Sequence, residues 1–170
     1  MFCGTLEAAA DARWLCENKI SYLINLTGVS RIKIRSCSCA DTLYHSPIEY
    51  IPKFNSDSTY KEITTEFHKI NDFIQEARSK NACILIFNND GYDLCQAIAI
   101  QYMMDYYGGL MLHHISSLQM KVKVKVKISP EYLEVLSFWE KEIEKKNPRI
   151  SNNKSLRSFS FKINRKLAQI

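Results

Sequence analysis

Five consecutive apolar residues, Cys83-Ile84-Leu85-Ile86-Phe87, form the most apolar short run in this chain. A run that does not alternate with polar residues has no face to spare for water. It therefore reads as a central strand buried on both sides, the kind found in a parallel sheet covered by helices. Its flanks agree. An amphipathic helix is predicted from about residues 59–61 to 80, with Ile63, Phe67, Ile70, Phe73, Ile74 and Ala77 on one face. After the run, residues 88–93 make a tight polar loop, and residues 94–106 an apolar helix stopped by Gly108-Gly109.

The rest of the chain repeats this alternation. Residues 5–18 read as a helix entry and one amphipathic helix, with Leu6, Ala9, Ala10, Trp14 and Leu15 at helical spacing. Residues 21–26 read as a buried strand, 32–38 as an extended edge segment, and 49–52 as a further strand ended by Pro52. Residues 54–59 are a polar loop and 110–120 another helix. Residues 121–127 alternate Lys and Val strictly, which predicts a strand or, between two helices, an extended connection. Ser129-Pro130-Glu131 supplies a cap, a first-position proline and a first-turn acid for a last helix carrying Tyr132, Leu133, Leu136, Phe138 and Trp139. The expected class is α/β, a central, mostly parallel sheet flanked by helices.

A chain of 170 residues, 46% of them hydrophobic, can bury a full single core. No apolar run approaches the roughly 20 residues of a membrane span. The N-terminus has no basic stretch followed by an apolar one, so no cleaved signal peptide is expected and an intracellular, cytoplasmic location is. Of the six cysteines, Cys3, Cys16 and Cys83 lie among apolar residues as small hydrophobes do. Cys37 and Cys39 are the one close pair, and no second pair at metal spacing accompanies them. His45, His68, His113 and His114 form no metal or triad spacing. Neither a metal nor a cofactor is expected.

Charge divides the chain. Lys145, Lys146, Arg149, Lys154, Arg157, Lys162, Arg165 and Lys166 fall in residues 145–170 with no acid among them, while residues 1–144 are slightly acidic. The expected organisation is a domain at 1–144 and a basic tail at 145–170. Phe159, Phe161, Ile163 and Leu167 interleave with the charge, the pattern of a docking arm against an acidic partner; a solvated tail is the plainer reading.

Several segments, in order, resemble the dual-specificity protein phosphatases, a branch of the cysteine-based phosphatases, over about residues 2–144. They are Phe2-Cys3-Gly4-Thr5-Leu6-Glu7-Ala8-Ala9, Ile20 to Thr27 ending in Asn-Leu-Thr, Phe67 to Ala77, Ile84-Leu85-Ile86, Ala97 to Met104, and Ile128-Ser129-Pro130 followed by Tyr132-Leu133. The family's active loop reads His-Cys-x-x-Gly-x-x-Arg-Ser/Thr. Its thiolate attacks phosphorus, its amides cradle the phosphate, and its arginine grips two oxygens. The resemblance places this loop on Phe87-Asn88-Asn89-Asp90-Gly91-Tyr92-Asp93-Leu94-Cys95. Phe87 then stands for the histidine, Asn88 for the nucleophile, Leu94 for the arginine and Cys95 for the hydroxyl residue, with Gly91 kept. Asp57 takes the general-acid place, where an ordinary loop aspartate is the simpler account.

An amide cannot form a phosphoenzyme and a leucine cannot clamp an oxyanion. The resemblance thus implies a catalytically inactive protein working through protein partners as adaptor, competitor or structural subunit, cytoskeletal and ciliary assemblies included. The degenerate loop, residues 31–35 and the basic tail are its candidate surfaces. Two other readings stand beside it: altered enzyme chemistry with Asp57, Asp90 and Asp93 gathered on a divalent cation, and electrostatic nucleic-acid binding by the tail, which no recognition motif accompanies.

Overall fold

The computed structural model of the chain describes residues 1–30, 32–34, 38, 44, 46–53, 57–122 and 125–146. Its elements run β1 (Phe2–Thr5), α1 (Leu6–Ala10), α2 (Ala12–Glu17), β2 (Ile20–Asn25), β3 (Ile48–Tyr50), α3 (Tyr60–Ser79), β4 (Cys83–Asn88), α4 (Leu94–Tyr107), α5 (Met111–Ser117) and α6 (Pro130–Lys146). The four strands form one sheet in the order β1-β4-β2-β3, and all three pairings are parallel.

β4 lies inside the sheet and splits its side chains between two cores. Ile84 and Ile86 enter a large core built with α3, α4 and α6, while Leu85 and Phe87 enter a smaller one with Phe2, Ala9, Leu15 and Leu23. All four of these β4 side chains are at most 2% exposed, as the unbroken apolar run requires. β2 manages the same division with one extra residue. Ile20 pairs with Cys83 and Tyr22 with Ile84, leaving Ser21 over as a bulge. Ile20 and Leu23 thereby serve the smaller core, and Tyr22 and Ile24 the larger.

The long helix starts where its chemistry says it should. Thr59 and Glu62 form a reciprocal capping box, with the Glu62 carboxylate accepting from the Thr59 N–H at 2.7 Å. Ile63, Phe67, Ile70, Ile74 and Ala77 are buried, whereas Phe73 is half-buried beside Tyr22 and Tyr50. From α6, Trp139 meets Phe67 edge-on at 5.5 Å, and its indole N–H donates to the Gln101 carbonyl at 3.2 Å.

Several expectations need correction. The single helix over residues 5–18 is two short helices, because Asp11 leaves helical geometry and caps the second through Arg13 N and Trp14 N. The helix over 110–120 is shorter, ending at Ser117 and followed by a π-helical turn, Leu118–Val122. That turn takes the first residues of the Lys-Val alternation; residues 125–127 have no regular structure, and 123–124 lie outside the described residues. No strand forms among the described residues of 121–127, and the expected connection stands in its place. Ser129 also differs in detail: its Oγ is buried and has no hydrogen-bond partner among the described residues, so it does not cap α6. Of the expected edge segment, residues 32–34 and 38 are described and none is strand; Ile32 and Ile34 pack on the smaller core. Residues 147–170, with Arg149, Lys154, Arg157, Lys162, Arg165 and Lys166, lie outside the described residues, as do Arg31, Arg35, Cys37, Cys39 and His45.

Glu66 fastens β3 and the chain after it to α3. Its buried carboxylate accepts from the Tyr50 hydroxyl, from Lys53 N at 3.1 Å and from Lys69 Nζ at 2.8 Å. Burial pushes its pKa up, but the bonds from Lys69, Tyr50 and Lys53 outweigh it and hold the carboxyl below its ordinary value. A depressed carboxyl contributes stability above its unfolded-state pKa and loses it as pH falls through the folded one. Glu66→Gln should therefore lower stability at neutral pH and shrink the loss between neutral and acid pH, read by urea unfolding across that range. Phe87→Ala should cost about 3–5 kcal/mol by emptying the smaller core, measured as a lower denaturant midpoint at unchanged slope.

Candidate functional site: the turn after the central strand

β4 delivers the chain to Asn88, and α4 takes it up again at Leu94. Between them the chain turns at Gly91, whose φ is +77°. A Cβ at Gly91 would stand 3.2 Å from the carbonyl carbon of Gly4 in β1, so both conformation and clearance select glycine. The turn is thus seated directly on the first strand.

Its interior is filled by its own side chains. Asn88 Oδ1 accepts from Gly91 N at 2.6 Å, and Asn88 Nδ2 donates to the Tyr92 carbonyl at 2.9 Å. Asp90 Oδ1 accepts from Tyr92 N at 2.9 Å. Turns of this kind bind anions by leaving successive N–H groups free. Here the Gly91 and Tyr92 amides are spent on an amide oxygen and a carboxylate.

The turn is also tied to the connection that leads into α6. Asp93, at φ +51°, makes no side-chain cap on α4. Its carboxylate reaches across to accept from Ser129 N at 2.8 Å, and its own N–H donates to the Lys127 carbonyl at 2.9 Å. Gln96 does for the connection what a neighbouring strand would do: Nε2 donates to the Lys125 carbonyl at 3.2 Å and Oε1 accepts from Lys127 N at 2.8 Å. The Lys127 ammonium lies 4.7 Å from the centre of the Tyr92 ring, a cation–π contact.

Two open hollows flank the turn. One, of about 310 Å³, is lined by Leu26, Asn88, Asn89, Asp90, Asp93, Leu94 and Tyr132; it presents two carboxylates and no cationic side chain. The other, of about 300 Å³, is lined by Asp90, Tyr92, Asp93, Lys127, Ile128 and Ser129.

The remaining candidates fall as follows. Phe87 is buried in the smaller core and Leu94 is half-buried at the start of α4. Cys95 is fully buried and donates to the Ile86 carbonyl at 3.1 Å. Burial, together with the Cys3 thiol beside it, pushes its thiol well above the ordinary range, the opposite of an activated nucleophile. Asp57 sits in an exposed turn ahead of α3 and lines neither hollow. The carboxylate cluster of Asp57, Asp90 and Asp93 is not formed: among the described residues no three such ligands gather, Asp90 and Asp93 being bonded to Tyr92 N and Ser129 N. Lys145 pairs with Glu142, and Lys146 donates to His68 Nε2 at 2.9 Å, so α6 runs on through the first two residues assigned to the tail. His114 is buried with Nε2 2.8 Å from the Gly108 carbonyl, and burial lowers its pKa. Among the described residues no helix is long and apolar enough to cross a membrane. Residue types alone did not reveal the roles of Gln96 and Lys127; Asn three residues ahead of Gly was the available signal for the Asn88 turn.

Neither a family model nor a curated protein matches this sequence significantly. Solved structures do match it in shape. Human DUSP28 superposes with a TM-score of 0.69 at 14% identity, over 86% of this chain and 94% of that one. DUSP15 gives 0.67 at 15%, over 91% and 92%. The human tyrosine phosphatase-like serine/threonine/tyrosine-interacting protein gives 0.62 at 15%, over 82% and 90%. The chain therefore has the dual-specificity phosphatase fold, as the order of its segments implied.

If Asn88 orders the turn, Asn88→Ala should cost about 1–3 kcal/mol by leaving the Gly91 N–H unpaired. Hydrogen exchange should speed up at Gly91 and Tyr92 and stay unchanged at the β4 amides.

Proposed function

We propose that this chain is a catalytically inactive relative of the dual-specificity phosphatases that acts by binding protein partners. The observation that carries the reading is the Asn88 side chain. It stands at the end of β4, where the resemblance puts the nucleophile, and it consumes the Gly91 amide that would face a phosphate oxygen. Leu94 supplies no guanidinium, and Asp90 and Asp93 add negative charge to the same hollow. At an effective dielectric near 20, two like charges about 4 Å apart cost about 4 kcal/mol, so a phosphate dianion is opposed as well as unclamped. This separates the chain from a domain that has lost its cysteine alone and can still hold a phosphorylated substrate.

Binding remains as the use of such a surface. One neighbour in shape is named as a phosphatase-like, interacting protein. The turn, the connection at 125–129 and the basic residues from Lys145 onward are the surfaces available to a partner, within signalling or within a cytoskeletal or ciliary assembly.

Purified protein should release no phosphate from a generic aryl phosphate above blank, with or without divalent metal. Asn88→Cys with Leu94→Arg should restore little until Asp90→Asn and Asp93→Asn are added. Turnover by the unmodified chain would end the proposal, and full rescue by the first pair alone would show that the carboxylates do not oppose phosphate.

A further inference from the structure

Two cysteines meet behind the turn. Cys3 is the cross-strand partner of Ile86 in the β1–β4 pairing. The Ile86 carbonyl accepts the Cys95 thiol at 3.1 Å. The Cys3 thiol in turn points at the Cys95 carbonyl, 3.7 Å away, and lies against the Cys95 thiol itself. The two cysteines thus lie side by side, although 92 residues separate them along the chain. Cys3 lies in β1 and Cys95 in the first turn of α4, just past the filled turn, and no disulfide joins them here. Cys16 and Cys83 are the other cysteines among the described residues, and neither forms a disulfide; Cys83 packs against the smaller core, across the sheet from Cys3, which packs on the larger one.

We propose that Cys3 and Cys95 are an oxidation site, closing to a disulfide that staples β1 to the first turn of α4. Cys3 is half-buried and Cys95 is fully buried, so a small peroxide meets Cys3 first. The Cys3 sulfur attacks one peroxide oxygen; the O–O bond breaks, one water leaves, and Cys3 becomes a sulfenic acid. The Cys95 sulfur then attacks the Cys3 sulfur, the S–O bond breaks, a second water leaves, and the disulfide forms. Two thiols give up two electrons to one hydrogen peroxide, and the protons leave in the two waters. Because Cys95 is protonated and enclosed, the second step is slow, and contact with Cys3 is what makes it competitive. The product fixes the residue before Gly4, the seat of the Gly91 turn, to the helix after that turn.

The test uses the whole chain carrying Cys37→Ser and Cys39→Ser, which removes the close pair. Folded protein is exposed to hydrogen peroxide, denatured, alkylated and digested for mass mapping. The expected result is a crosslinked Cys3–Cys95 peptide, an intact mass lower by about 2 Da, return of both thiols with reductant, and Cys16 and Cys83 still open to alkylation. The crosslink should vanish in a Cys3→Ser version, which alters only a half-buried strand position, and the oxidised parent should need more denaturant to unfold than the reduced one. Overoxidation of Cys3 to sulfinic acid while Cys95 remains free to alkylate would overturn the proposal, as would a crosslink joining either residue to Cys16 or Cys83. Because the mapping is done on protein that keeps both cysteines, a variant that fails to fold does not decide the outcome.

Discussion

A strand that is apolar on both faces has to be covered twice, and the architecture follows from how that is done. β4 can be satisfied only by helices above and below it and by strands on both edges. The chain supplies α1 and α2 for one face and α3 to α6 for the other. Because the pairings are parallel, β1, β2 and β4 point the same way, and the turn leaving β4 emerges beside the end of β1. The contact between Gly91 and Gly4 is therefore a result of topology before it is a matter of local sequence. Everything built around the turn inherits its position from that burial.

Much of this was legible from the residues. The unbroken run at 83–87 announced a buried strand, and the apolar face from Ile63 to Ala77 announced the long helix before it. The places that misled share a cause: their structure depends on neighbours that the local pattern does not name. The alternation at 121–127 has the period of a strand, but a strand needs a partner edge, and a side chain thirty residues earlier in sequence takes that role at Lys125 and Lys127. Asp11 is a good cap inside what reads as a continuous apolar stripe, and whether it interrupts that stripe depends on how α1 leaves β1.

The same division holds at the candidate site. The composition of the turn was plain: an amide at Asn88 and a leucine at Leu94, in positions that resemblance assigns to other chemistry, with two carboxylates between them. How those groups spend their hydrogen bonds was not. Asn88 could have pointed to solvent; instead it bonds both to the Gly91 amide and to the Tyr92 carbonyl, which requires the left-handed backbone at Gly91. Asp93 could have capped α4 and instead anchors the approach to α6. Resemblance assigned the positions, and geometry showed what the side chains standing there do.

A turn that binds an anion leaves its amides open to it. The present turn carries its own occupant, covalently attached, in the form of the Asn88 carboxamide. On the reading proposed above, its contour is set by these internal bonds and not by the supply of phosphate in the surrounding medium. Any protein that docks there encounters a template already set, and binding need not include the entropy of shaping it.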